Sequence, residues 1–316
     1  MVNVTAPSAC SDEPVRRACS LVDSVRNGTE SAPAIVREPS NFMRAVVWDL
    51  DDTLVSTTKN VAECRIAACR AMVGYAQTIN DDVVRQALER EHLFDAGAFD
   101  KVYDLLEEVA RKNGGNYDRH YDIVWEILGI PSGLSLASYE LHKSIVGAGV
   151  AAYHQRKDEV WKPNLEVIAV IKHLKSLGIT SAILTKADRA DKQKEKIARA
   201  GLLDLFDPAL IAIVRPMFDS ASGKYMNIVD KSAALNQLSR RLDIVRESLY
   251  CVGDRVTDTE AAVSAGAQAV YFLNPDGKYP KNERIASPLH VPHVIITQLP
   301  QVREIAQKYG ASRLAG

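Results

Sequence analysis

Three stretches of apolar, β-prone residues each end abruptly in side chains that carry oxygen. Ala45-Val46-Val47-Trp48 runs into Asp49-Leu50-Asp51-Asp52-Thr53, Ser181-Ala182-Ile183-Leu184 ends at Thr185, and Leu249 to Val252 ends at Gly253-Asp254 with Asp258 close behind. In an open parallel sheet the carboxyl ends of the strands line one crevice, so these groups can converge although they are far apart in the chain. Gathered carboxylates repel, by about 4 kcal/mol for two unit charges roughly 4 Å apart at an effective dielectric of about 20, unless a cation or a proton intervenes. Oxygen donors without cysteine or histidine favour magnesium over zinc, and magnesium keeps ligand places for water and phosphate. A carboxylate can also act as a covalent nucleophile towards phosphorus once the charge of the incoming phosphate is neutralised. Lys231, at the start of a predicted helix, can supply part of that positive charge, and the helix N-terminus favours anions as well.

Each piece alone has an ordinary structural explanation. Asp-x-Asp after a strand often caps a helix or makes a turn, threonine is common at strand ends, surface lysines are usually solvated, and Gly-Asp is a routine turn. All of them in order, each where a parallel sheet needs it, point to chemistry.

The elements that would position these residues are legible from periodicity. After Pro163, helix and strand alternate: a helix across Leu165 to Leu177, the strand ending at Thr185, a helix from about Lys192 to Ala200, and a strand near Ala209 to Val214. A helix from Lys231 to about Leu242 follows, then the strand Leu249 to Val252, a helix beginning near Asp258, strands Ala269 to Leu273 and His293 to Thr297, and a last helix from about Pro300 to Tyr309. Such alternation predicts an α/β fold with a doubly wound parallel sheet. Between Thr57 and Val160 the signals are helical instead, as in the stripes Ile66, Cys69, Val73; Phe99, Val102, Leu106, Val109; and Tyr121, Val124, Trp125, Leu128. The expected organisation is therefore residues 1–41 as a flexible leader, rich in Ser and Pro, residues 42–56 and 161–316 as the α/β core, and residues 57–160 as an inserted α-helical domain. Within the leader, Val15, Ala18, Val22 and Val25 have helical spacing after Asp12 and Pro14, which predicts a helix of a few turns.

Composition narrows the partners. With 47% hydrophobic and 25% charged residues and a formal net charge of -1, the chain gives no reason to expect nucleic acid or a membrane surface. No apolar run approaches the roughly 20 residues of a membrane helix, and no signal-peptide core opens the sequence, so a cytoplasmic protein is expected. Five cysteines, an odd number with no CxxC pair, read as reduced thiols without a metal. The oligomeric state stays open.

These residues resemble the haloacid dehalogenase (HAD) superfamily. Asp49-Leu50-Asp51-Asp52-Thr53-Leu54 is similar to its first motif, DxDxT; Ile183-Leu184-Thr185 to its second; Lys231 to its third; and Gly253-Asp254-Arg255-Val256-Thr257-Asp258 to its fourth, GDxxxD. The resemblance spans Arg44 to the C-terminus and implies a Rossmann-like core, with Asp49 as the nucleophile that forms an aspartyl phosphate. It implies Asp51 as general acid and base, and magnesium held by Asp49, the backbone carbonyl of Asp51 and Asp254, with Asp258 as an outer ligand. Thr185 and the amide after it would bind the phosphoryl group with Lys231. Relatives that lack an acid at the position of Asp51 act on other bonds, so its presence implies a phosphatase or a phosphomutase. The helical insertion resembles the family's first type of cap, which closes over small substrates. The expected activity is magnesium-dependent hydrolysis of a small phosphorylated metabolite; a phosphomutase acting on a phosphosugar and a non-enzymatic binding module are the alternatives. Two lysines complicate the site: Lys186 follows Thr185 where small polar residues are usual, and Lys224, in the long loop Arg215 to Asp230, rivals Lys231.

Overall fold

The computed structural model describes residues 13–27, 32–39, 42–113, 119–130, 136–187, 189–215, 217–219, 224–226, 231–277 and 284–310. They form two compact units, one drawn from Met1–Thr58 and Lys162–Gly316, the other being Lys59–Trp161.

The first unit is an α/β sandwich. Its strands are β1 (Ala34–Ile35), β2 (Ala45–Trp48), β3 (Thr180–Lys186), β4 (Ile211–Val214), the pair β5 (Met217–Asp219) and β6 (Lys224–Met226), β7 (Leu249–Gly253), β8 (Gln268–Phe272) and β9 (Val294–Ile296). Seven make one sheet in the order β1-β9-β8-β7-β2-β3-β4, parallel throughout except for β1. From β2 the chain winds outward through β3 and β4, then returns to β7 on the other flank of β2. This places the reversal of strand order beside β2, the crevice where open α/β sheets bind ligands. Register fixes the level of the strand ends: Trp48 pairs with Ile183 on one side and Val252 on the other. Asp49, Leu184 and Gly253 therefore stand at one level, with Thr185 and Asp254 one residue further on, at the carboxyl end of the sheet. β2 and β7 are buried on both faces, which is why they read as unbroken apolar runs rather than alternations.

The segment expected to be a flexible leader instead contributes a helix, α1 (Glu13–Arg26), and the antiparallel edge strand β1. Val15, Ala18, Val22 and Val25, the stripe found by spacing, are all buried and pack with Val256, Tyr271, Leu273 and Ile295. Among the described residues, Pro14 lies in the first turn of α1, where its missing N–H costs nothing, and Pro33 and Pro39 lie outside the helix. The stretch Arg215 to Asp230, expected to be a loop, contains the antiparallel pair β5–β6, whose strands are too short for their alternation to stand out. The side chain of Lys224 lies outside the described residues.

The second unit follows in the chain after the acidic loop beyond β2 and is helical. Its helices are α2 (Thr57–Thr78), α3 (Asp82–Arg90), α4 (Ala98–Asn113), α5 (His120–Ile127) and α6 (Leu136–Val160). The apolar stripes of α2, α4 and α5 meet in one core that includes Cys69, Met72, Val102, Leu106, Val124, Trp125 and Ile145. Returning to the first unit, α7 (Leu165–Ser176), α8 (Ala190–Arg199), α9 (Lys231–Leu242), α10 (Val256–Ala265) and α11 (Gln301–Tyr309) complete the chain. Among the described residues no helix is long and apolar enough to cross a membrane.

Candidate active site

Asp49 is the first residue beyond β2, and its N–H donates to the Val252 carbonyl at 2.8 Å, continuing the ladder to β7 for one more step. Lys231, the first residue of α9, donates from Nζ to Asp49 Oδ1 at 2.7 Å and to Asp258 Oδ1 at 2.6 Å. Asp258 stands in the first turn of α10, where its other oxygen accepts the Arg255 N–H at 3.3 Å. Gly253 makes this approach feasible: a Cβ there would sit 2.5 Å from Asp258 Oδ2. Asp254, 1% exposed, accepts a 3.4 Å bond from Thr53 on Oδ1, while its Oδ2 is buried with no hydrogen-bond partner. Ligand oxygens of Asp49, Asp254 and Asp258 all lie within 4.8 Å of one another.

Charge explains what such a cluster requires. Three carboxylates and the Lys231 ammonium sum formally to two negative charges in a buried space. Burial pushes Asp49 up to about 7, against the pull of Lys231 and with repulsion from Asp258 and Asp51 added. Asp254 is pushed up to about 8 by burial and then by Asp49, Asp258 and Asp52. Burial alone would lower the Lys231 ammonium, but Asp258 and Asp49 outweigh it and raise it. A divalent cation would cancel the surplus, and the unpartnered Asp254 Oδ2 would give it a ready donor. The all-oxygen set suits a hard ion. The residues present fit a divalent metal.

Asp51 stands apart from this triad. Its Oδ1 accepts from Thr57 Oγ1 at 2.5 Å and pairs with Lys196, and its Oδ2 accepts from Gln193 at 2.8 Å. Burial would raise this carboxyl, yet Lys196, Thr57 and Gln193 together hold it below its ordinary value. Gln193 also donates to Thr185 Oγ1 at 2.8 Å, joining the end of β3 to Asp51. Lys186 is half-buried one residue further on.

The loop between these acids is held by its own backbone. Leu54 and Val55 N–H both reach the Leu50 carbonyl at 3.0 Å, and Asp52 takes a positive φ of 59°. Asp52 pays back that strain through bonds from Thr58, 2.7 Å from the amide and 2.5 Å from the hydroxyl, while its carbonyl accepts from Asn274 at 2.5 Å. Sequence reasoning missed Gln193, Lys196, Thr57 and Asn274. The first two are polar residues on the inward face of a helix just after Thr185, a signal that resembles ordinary solvated helix surface until the face is known.

A family model described as haloacid dehalogenase-like hydrolase matches residues 43–266. The chain belongs to the haloacid dehalogenase-like hydrolase family. Among curated relatives, the glyceraldehyde 3-phosphate phosphatase of Methanopyrus kandleri is 28% identical over 77% of this chain and 90% of its own. That of Pyrococcus furiosus is 26% identical over 85% of this chain and 95% of its own. Among solved structures, a HAD family hydrolase from Deinococcus radiodurans is similar with a TM-score of 0.45 and 16% identity, covering 85% of this chain and 97% of that one.

Proposed function

We propose that this HAD-like hydrolase is a magnesium-dependent phosphatase that hydrolyses a small phosphate monoester, with phosphorylated three-carbon aldehydes and sugar phosphates as its substrate class. The observation that carries the reading is the buried Asp49, Asp254 and Asp258 triad, two charges short of neutrality, at the carboxyl end of the central strand. The names of the curated relatives favour the substrate class.

Asp49, Asp254 and the Asp51 carbonyl would hold the cation, with Asp258 orienting through Lys231. Magnesium there supplies positive charge against the phosphoryl oxygens. The Asp49 carboxylate attacks phosphorus as the bond to the leaving oxygen breaks, and Asp51, after taking up a proton from solvent against the pull of Lys196, delivers it to that oxygen. Water then attacks the aspartyl phosphate, Asp51 takes a proton from that water and so regains its acid form, and Asp49 is released with inorganic phosphate. Thr185 and Lys231 bind the phosphoryl group throughout. The helical unit serves as a cap that excludes competing water.

Phosphate release from a panel containing glyceraldehyde 3-phosphate, several hexose and pentose phosphates and an aryl phosphate, each with magnesium or with EDTA, tests the proposal. Magnesium-dependent release with a preference for small phosphorylated metabolites is expected. Transfer of the phosphoryl group to a second hydroxyl without free phosphate would overturn it in favour of a mutase.

A further inference from the structure

Helix α8 sends two polar side chains into its own unit that none of the family's motifs accounts for. Gln193 is 5% exposed and shares the buried stripe of the helix with Ile197, a place where an apolar residue is expected. A buried carboxamide is tolerated only when bonded. Its Nε2 donates to both Asp51 Oδ2 and Thr185 Oγ1, each at 2.8 Å. Three positions on, Lys196 lies on the same face with its side chain 17% exposed and pairs with Asp51 Oδ1, which Thr57 also reaches. Both oxygens of Asp51 are therefore fixed, one by Thr57 at the start of α2 and both from α8. The Lys196 charge also offsets Asp51 locally, although Asp51 still adds some repulsion to Asp49.

We infer that Gln193 and Lys196 are positioning residues for the reaction. They hold the Asp51 carboxyl in fixed relation to the Thr185 hydroxyl, so that the proton donor and the bound phosphoryl group are aligned on the leaving oxygen. The inference rests on the proposed role of Asp51 in proton transfer. Alignment matters most where the leaving oxygen needs a proton as its bond to phosphorus breaks: a primary alkoxide does, whereas an aryl oxide with electron-withdrawing substituents departs without one.

The test compares kcat/KM on a primary alkyl phosphate and on a nitrophenyl phosphate, because that ratio reports the first phosphoryl transfer alone. The proteins are the full-length wild type, Asp51→Asn, Lys196→Met, Lys196→Arg, Gln193→Leu and Lys196→Met in the Asp51→Asn background. Lys196→Met and Gln193→Leu are expected to lose about 100-fold on the alkyl ester and at most about fivefold on the aryl ester. Lys196→Arg recovers most of the loss, and Lys196→Met adds under about threefold once Asp51 is already Asn. Turnover of the aryl ester in the same preparation reports folded protein, and Gln193→Leu, nearly isosteric, carries the test should Lys196→Met not fold. Equal losses on both esters in the α8 variants, with Asp51→Asn still selective for leaving group, would overturn the positioning role and leave the phosphatase reading intact. Equal losses in Asp51→Asn itself would overturn the acid–base assignment and this inference with it.

Discussion

Replacing Asp254 by Asn should stabilise the metal-free protein while destroying its response to magnesium. Asp254 is 1% exposed, has one oxygen without a partner, and is pushed from 3.8 up to about 8 by burial and by its acidic neighbours. At pH 7.5 without a cation, keeping that carboxylate ionised costs up to about 5 kcal/mol, at about 1.36 kcal/mol per pH unit above its ordinary value. Local relaxation and water entry recover part of this, leaving a gain of about 2 kcal/mol for the neutral side chain. In a folded unit of this size that raises Tm by roughly 4–8 °C. The sign follows from linkage. A carboxyl whose folded pKa is raised binds a proton more tightly when folded, so its penalty is absent below about pH 4 and grows until about pH 8. Thermal unfolding in EDTA followed by circular dichroism at pH 7.5 and pH 5 should therefore show an advantage for Asp254→Asn that shrinks at the lower pH. Magnesium should raise the wild-type Tm by mass action and leave the variant almost unmoved. A variant that melts below wild type in EDTA at pH 7.5, or an advantage that does not shrink towards pH 5, would refute the reasoning.

Lys231→Met leaves the triad without its only ammonium partner among the described contacts; it should abolish phosphate release and destabilise the protein in EDTA by about 3–5 kcal/mol, measured by denaturant titration, with magnesium recovering part of the loss. His293, whose Nδ1 accepts the Ala269 N–H at 2.9 Å and whose carbonyl receives the N–H groups of Val36 and Arg37, is depressed to about 4 by burial and then by Arg37. Its contribution, at most about 3 kcal/mol, is present above about pH 6.5 and lost as pH falls towards 4, so His293→Asn, which keeps an acceptor, should flatten the acid limb of the stability profile. Val22→Ala in α1 should cost about 1.5 kcal/mol and speed amide exchange in α1 and β1, because that side chain is 6% exposed against the sheet.

The core was legible where one signal dominated. Ala45 to Trp48 could only be a strand buried on both faces, and the acids that stop it could only stand at its carboxyl end, so the first and last motifs were visible as chemistry as well as pattern. The stripe of α1 was equally visible, but not its docking, because burial of an edge depends on what the rest of the chain leaves uncovered: here the faces of Tyr271, Leu273 and Val256. Gln193 and Lys196 escaped notice since a glutamine and a lysine on a helix are indistinguishable from solvated surface until the inward direction is known. The β5–β6 pair failed on length, with three residues to a strand. Part of the charge balance was visible too, since Lys231 at a helix start was expected beside the acids, whereas the pairing of Lys196 with Asp51 depends on which way α8 faces.

The proposed mechanism turns on the Asp49 carboxylate as the nucleophile. It is tested most directly by acid-quenching a turnover with magnesium, locating any covalent phosphoryl group by peptide mass spectrometry, and measuring phosphate release in parallel for wild type and Asp49→Asn. A phosphoryl group on Asp49 in the wild type, with no release from the variant, is the predicted result. Magnesium-dependent release that survives in Asp49→Asn, or a phosphoryl group on another side chain, would contradict it.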